Sequence, residues 1–180
     1  WQVVIIAAVF TLARFSEAFL ILRAQSVGLP IALVPAVMVL MNVVYALAAY
    51  PAGVISDRMN RQTILIAGFI LLILADVVLA LSGSITGVAV GVILWGLHMG
   101  LTQGLLAALV ADTAPAELRG TAYGMFNLTT GIALLAASII AGGLWDGIGP
   151  KGTFLAGAVF AALAVAGLVA FGQNRKRITK

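Results

Sequence analysis

The sequence has no cysteine, a single histidine and few charged residues. Only 9% of its 180 residues are charged, whereas 63% are hydrophobic. The absence of cysteine excludes disulfide bonds and thiol chemistry. About a quarter of the residues of a soluble domain are charged, so this chain cannot cover a water-facing surface with ionised groups. Lipid is therefore its main solvent, and the lipid bilayer is its first expected partner.

Long apolar runs dominate the chain, and its mean hydropathy is +1.17. A helix needs about 20 apolar residues to cross the hydrocarbon core of a bilayer. Gly, Pro and Ser separate runs of this length at most of the joints. We therefore predict an all-α membrane protein, with a six-helix transmembrane domain over 1–172 and a basic cytoplasmic tail over 173–180. The six spans are expected at about 3–25, 31–55, 62–82, 85–111, 119–144 and 152–172.

The basic residues are unevenly distributed between the two ends of these spans. Arg58, Arg61, Arg119 and the tail fall on one side, and only Arg23 and Lys151 fall on the other. Because Lys and Arg are enriched in cytoplasmic loops, we expect the C-terminus in the cytoplasm and the protein in a bacterial inner (plasma) membrane. The basic residues are too dispersed to predict a nucleic-acid partner.

Polar side chains form stripes on four of the six predicted helices. At 100° per residue they lie on one face of each helix. Such stripes predict helices that surround an aqueous path, with the apolar third and sixth helices outside. This arrangement is typical of two inverted three-helix repeats. The pathway residues predicted on this basis are Arg14, Glu17, Asn42, Tyr45, His98, Thr102, Tyr123, Asn127 and Thr130.

Each ionisable residue within a span has two interpretations. Arg14 and Glu17, one helical turn apart, are either a substrate counter-ion and a proton-coupling acid or a neutralised pair that fixes packing. His98 lines the cavity or forms a hydrogen bond as a neutral imidazole, and it has no neighbouring ligand that would favour a metal. Asp76, alone on an apolar helix, is expected to be structural and accessible to water near the outer end of its span.

The segment "GVISDRMNRQ" resembles the loop pattern G-x-L-x-D-R-x-G-R-[RK] of major facilitator superfamily transporters. Gly53, Asp57, Arg58 and Arg61 match this pattern, whereas Asn60 replaces its second Gly. "PAELRGTAYG", "GLHMGLTQG" and "WDGIG" are similar to later segments of the same family. The resemblance extends over the whole chain. It implies that the chain is the C-terminal six-helix half of such a transporter, helices seven to twelve.

The resemblance also implies a role for the loop. In the family, the Asp of the pattern latches the two halves of the transporter in one state, so Gly53, Asp57, Arg58 and Arg61 form a predicted conformational latch. The dipole at a helix N-terminus favours such a negative charge. In the next loop on the same side, Asp112 and Glu117 are expected to cap helices and to pair with Arg119.

The expected function is secondary active transport of an unknown small solute by alternating access, with proton coupling through Glu17 as a hypothesis. The alternatives are a non-transporting membrane domain, such as a receptor or assembly subunit, and a homodimeric half-transporter. The chain starts with Trp1 rather than Met, so we expect a fragment whose partner is the N-terminal six-helix half. No serine, aspartate or metal-site pattern of an intramembrane enzyme is found, and no cofactor is expected.

Overall fold

The computed structural model describes residues 11–178, which contain helices and no strands. Residues 11 and 12 are helical, and from Ala18 onward six further α-helices are described, with short 3₁₀ turns before the second and the fifth of them. Their bounds are α1, Ala18–Ser26; α2, Val34–Ser56; α3, Arg61–Leu81; α4, Ile85–Thr113; α5, Arg119–Ile148; and α6, Pro150–Ile178. Among the described residues, five helices, α2 to α6, are long and apolar enough to cross a membrane.

The first predicted span differs from the structure. Residues 14–16 are not helical, and the nine-residue α1 begins only at Ala18. The start of the span, 3–10, lies outside the described residues. Ser16 accounts for part of the interruption, because its hydroxyl accepts from the Ala18 amide and its own amide donates to Ser138 Oγ. Serine side chains that bond nearby backbone in this way compete with the helical ladder.

The other helices end where local chemistry dictates. The Asn60 side chain caps α3 by accepting from the Gln62 amide, and Ser84 caps α4 by accepting from the Gly87 amide. Gly149, with φ of 87°, ends α5 in a conformation that favours glycine. At the other end of α3, Arg23 donates from Nε to Leu79 O at 2.7 Å and from an Nη to Ser82 O at 2.5 Å. A cation at this position complements the negative end of the helix dipole.

The third and fourth helices run in opposite directions. Gly68 on α3 contacts Thr102 on α4, and Leu79 near the end of α3 contacts Gly91 near the start of α4, so the two helices are antiparallel. An ion pair between Arg61 and Asp112 joins the start of α3 to the end of α4. The predicted latch loop and the α4–α5 loop therefore lie at one end of the bundle, as the prediction from Lys and Arg requires.

The helices of this half differ in how much of their surface is buried. Half of the most apolar stretch of α3 is buried, compared with 11% in the span containing α2 and 17% in the span containing α5. α3 is buried because it packs against both α4 and α6, with small residues such as Gly68 and Ala75 in the interface. Two of the polar-striped helices are thus the exposed ones, and the apolar third helix is central.

An aromatic cluster fills the core beside the interrupted first span. Phe15 lies 5.5 Å from Trp95 and 5.4 Å from Phe154, measured between ring centroids, and Phe19 lies 5.2 Å from Phe15. Trp95 and Phe154 are fully buried. Such tilted and edge-to-face pairs are favourable beyond their buried area. The cluster therefore holds the non-helical segment 14–16 against α4 and α6.

Candidate functional site

A cleft of about 310 Å³, lined by both polar and apolar side chains, lies between the first segment, α4 and α5, with Phe69 of α3 on its wall. The interruption of the first helix places Arg14 in this cleft. The cleft brings together five of the predicted pathway residues, from three different elements: Arg14, His98, Thr102, Asn127 and Thr130. It adds residues that the sequence stripes did not indicate, chiefly Gln103, Phe69 and Phe126. Gln103 could have been noticed as an amide within a membrane span; the two phenylalanines carried no signal.

Arg14 is the charged residue of the cleft lining, and no acidic side chain is among the described residues that line it. Its guanidinium lies 3.7 Å from Glu17 Oε1, and 18% of the Arg14 side chain and 29% of the Glu17 side chain are exposed. A charge-assisted hydrogen bond of this kind is usually about 2.7–2.9 Å long. Glu17 therefore neutralises Arg14 only at a distance, and among the described residues no other side chain pairs with the guanidinium, so its donors are available to the cleft.

His98 is buried at the inner wall of the cleft and held in one orientation. Its Nδ1 lies 2.8 Å from the carbonyl oxygen of Gly68, and the ring packs edge-on against Phe69 with centroids 5.6 Å apart. Because a carbonyl oxygen only accepts, Nδ1 carries the hydrogen and Nε2 of the neutral ring is an acceptor. The Thr102 hydroxyl donates to the His98 carbonyl at 2.8 Å, which ties this part of the wall to the α4 backbone.

The α5 wall of the cleft offers an amide and a hydroxyl. Asn127 is exposed, while Thr130 Oγ1 donates to the Phe126 carbonyl at 2.8 Å. Asn127 therefore keeps both amide donors and its carbonyl acceptor available, whereas the Thr130 hydroxyl retains its acceptor role. With Arg14 and Gln103, this wall presents donors and acceptors to one space.

Four predicted pathway residues do not line the cleft. Glu17 pairs with Arg14 but is not among the lining residues. Asn42 is exposed on α2, with its amide donating to the Met38 carbonyl at 2.8 Å. Tyr45 packs against the hydrophobic core. The Tyr123 hydroxyl donates to the Ala107 carbonyl of α4 at 3.0 Å. One tyrosine thus packs against the core and the other bonds to the backbone, because a polar stripe on a helix does not specify which neighbour meets it.

The loop residues pair differently from the expectation. Asp112 forms its ion pair with Arg61 rather than with Arg119, and within the described range neither Arg119 nor Glu117 forms an ion pair. Asp57 is exposed and makes no ion pair with Arg58 or Arg61 there. Residues 51 positions apart in sequence meet because α3 and α4 are antiparallel neighbours. No described atom lies close enough to Gly53 to meet a side chain there.

The sequence predicted that Asp76 is accessible to water, and this prediction is wrong. Its side chain is 0% exposed, because the end of α3 packs between α4 and α6 rather than facing the membrane surface. Trp95, the aromatic residue next to the histidine turn of α4, is a packing residue with no exposure. No group of three potential metal ligands occurs among the residues that the structure describes.

Residues 3–180 match the Major Facilitator Superfamily. Since this match extends over nearly the whole sequence, the chain belongs to that family and is an integral membrane protein. An uncharacterized MFS-type transporter of Methanocaldococcus jannaschii is 35% identical over 171 residues, covering 89% of this chain and 42% of the relative. The arabinose-proton symporter of Bacillus subtilis is 28% identical over 89 residues, covering 49% of this chain and 19% of that protein.

Solved structures of transporters share the fold. A POT family transporter in complex with 5-aminolevulinic acid superimposes with a TM-score of 0.76 at 16% identity, covering 96% of this chain and 38% of that one. The POT family transporter PepTSo gives a TM-score of 0.72 at 20% identity, covering 97% of this chain and 37% of that one. The chain therefore spans less than half the length of each of these proteins, and its fold is half of an MFS transporter fold.

Proposed function

We propose that this chain is the C-terminal half of a secondary active transporter that moves a small, negatively charged solute by alternating access. The observation that carries the proposal is the composition of the cleft. Arg14 supplies a positive charge within the membrane-spanning bundle, and no described acidic side chain lines the same space. An intramembrane charge is costly unless it serves a pathway or a partner.

The size and chemistry of the cleft restrict the solute. A volume of about 310 Å³ is at the small end of the usual range for ligand pockets, which is about 300–1,000 Å³. A carboxylate would accept from the Arg14 guanidinium, and Asn127 and Gln103 would bind further polar groups. Phe69 and Phe126 would pack against the carbon skeleton. The solute class supported by this arrangement is a small carboxylic acid in its ionised form.

Glu17 supplies the route to proton coupling. At 3.7 Å from Arg14, it is the internal carboxylate with which a solute carboxylate would compete. Protonation of Glu17 removes its attraction for Arg14 and leaves the guanidinium to the solute. Release of the solute restores the Arg14–Glu17 pair after Glu17 has lost its proton to water. Anion and proton therefore cross together in this scheme.

Alternating access requires a second body against which this half moves. The exposed α2 and α5 present the surfaces that support docking of an N-terminal six-helix half, since the M. jannaschii relative is more than twice as long as the matched region. A second copy of the chain is the alternative partner. The exposed Asp57 would act as the latch between the two bodies in one state.

The test compares solutes of equal shape that differ in charge. Thermal stabilisation of the full-length purified protein is measured with small carboxylic acids and with their primary amides. The proposal expects a carboxylate that binds and is taken up into proteoliposomes, while its amide does neither. Binding without uptake would instead indicate a receptor. Preference for the amides, or for amines, would overturn the assignment of Arg14 as the counter-ion.

A further inference from the structure

Asp76 carries a carboxyl group in the dry interior of the bundle. The residue is 0% exposed, and neither of its carboxyl oxygens has a hydrogen-bond partner among the described residues. The Trp95 indole N–H is the other buried side-chain polar group in that range without a partner. Unpaired buried polar groups are rare in native structures, and each one calls for a physical explanation.

The Phe15 ring lies near both the Asp76 carboxyl group and the Trp95 indole. A Cβ atom added to Gly157 of α6 would lie 2.7 Å from Asp76 Oδ2 and 2.8 Å from Phe15 Cε1. The carboxyl group and the Phe15 ring therefore both lie against this glycine. The same ring packs against Trp95, with centroids 5.5 Å apart. The antiparallel contacts of α3 with α4 also place Asp76 level with Trp95 across the bundle.

The carboxyl group holds a proton in this conformation. An ionised carboxylate without a partner in an apolar site is strongly unfavourable. The charged groups of the adjacent elements do not compensate it: Arg14 lines the cleft and pairs with Glu17. Arg23 of α1 is bonded to the Leu79 and Ser82 carbonyls, and His98 is bonded to Gly68. The part of α6 that packs beside it, 153–168, contains no charged residue. The neutral acid is the form compatible with these surroundings.

We propose that Asp76 is a second proton-binding site of the transporter, closed by Phe15 and opened when solute binds at Arg14. The coupling part of this proposal rests on the proposed function. Arg14 and Phe15 are consecutive residues in the non-helical stretch 14–16, so a displacement of Arg14 toward the solute also moves the Phe15 ring. The ring then no longer closes the site. Once the solute-loaded protein opens to the opposite side of the membrane, water reaches Asp76, and the carboxyl O–H transfers its proton to that water. The Trp95 N–H becomes the hydrogen-bond donor to the resulting carboxylate.

The first test needs no solute. Infrared spectroscopy of the full-length protein follows the carbonyl band of its protonated carboxyl groups after transfer into D₂O. Asp76→Asn should remove one such band and thereby identify it. That band should exchange slowly in the wild type and at least about tenfold faster in Phe15→Ala. Phe19→Ala, which removes another buried ring of the same cluster, is the matched control and should leave the rate within about twofold.

The second test adds the solute, so that the two proposals can fail separately. A carboxylate solute should accelerate exchange of the Asp76 band, and its amide should not. If carboxylates bind but the band exchanges at the same rate, the proposed function stands and the coupling to Asp76 is wrong. If Asp76→Asn removes no protonated-carboxyl band, or if Phe15→Ala and the wild type exchange equally fast, the closed proton site is refuted whether or not the protein transports.

Discussion

The two sides of the segment 14–16 contain an acidic group in opposite environments. Glu17 is partly exposed and lies 3.7 Å from Arg14, which lines the cleft. On the core side, Asp76 is fully buried among Phe15, Gly157 and apolar helices, without a charge partner in the described residues. The first environment supports a charge that can be exchanged for a solute. The second supports only a neutral acid until the segment moves. The comparison shows that burial and partner, rather than residue type, determine what a carboxyl group can do here.

The largest expected effect comes from removing the charge on the cleft side. Arg14→Gln should lose a charge-assisted bond worth about 2–3 kcal/mol and weaken binding of the carboxylate solute about 100-fold. Arg14→Lys keeps the charge but not the planar guanidinium, so its affinity for the solute should lie between those of the wild type and Arg14→Gln. Isothermal calorimetry with the solute from the amide comparison measures this difference. Equal affinities of the wild type and Arg14→Gln for the solute would contradict the role of Arg14 as the counter-ion of the carboxylate.

On the core side, overpacking should affect stability rather than binding. Gly157→Ala places a methyl group against Asp76 and Phe15, which should lower the free energy of unfolding by about 1–3 kcal/mol. Gly167→Ala is the control on the same helix, because no atom lies within 4 Å of a Cβ at that position. Denaturation in detergent should separate the two variants. A Gly157→Ala protein as stable as Gly167→Ala would show that the carboxyl group has room to move.

Arg23 tests whether the end of α3 is held independently of both acids. Arg23→Met keeps the length of the side chain but removes its bonds to the Leu79 and Ser82 carbonyls. We expect a loss of about 1–2 kcal/mol in the free energy of unfolding, with unchanged affinity for the solute. Lys151→Met, at an exposed position near the start of α6, should change stability by less than about 0.5 kcal/mol. A large change in solute affinity in Arg23→Met would mean that the interaction of Arg23 with the end of α3 affects the geometry of the cleft.

The smallest effect is expected at the opposite end of the bundle. The Arg61–Asp112 pair is partly exposed, and such pairs contribute about 0–1 kcal/mol. A double-mutant cycle with Arg61→Ala and Asp112→Ala should give a coupling energy in this range that decreases with added salt. A coupling that is insensitive to salt would contradict a solvent-screened pair.

Much of the fold could be predicted because membrane spans are encoded locally. The apolar runs and their Gly, Pro and Ser joints indicated helices close to α2 through α6. The interruption at residues 14–16 could not be predicted, because it depends on Ser16 meeting Ser138, which is 122 residues away in sequence. The pairing of Arg61 with Asp112 could not be predicted either, because these residues are also far apart in sequence.

For the site, polar stripes identified which residues have hydrogen-bonding capacity but not which partner satisfies it. Arg14, His98 and Asn127 line one cleft, whereas the Tyr123 hydroxyl is satisfied by the α4 backbone. The prediction that Asp76 is accessible to water was wrong. It rested on the position of Asp76 near the outer end of its span. Burial by α4 and α6 determines its environment instead, and that packing is not visible in the sequence of α3.

The most direct test of the two-sided account is the charge moved with each solute. If Glu17 and Asp76 each carry a proton with a monoanion, one net positive charge enters per cycle. An inside-negative membrane potential should then accelerate solute uptake by the full-length protein in proteoliposomes. Asp76→Asn should leave uptake electroneutral and insensitive to the potential while exchange of solute across the membrane continues. Uptake by Asp76→Asn that still responds to the potential as the wild type does would contradict the account.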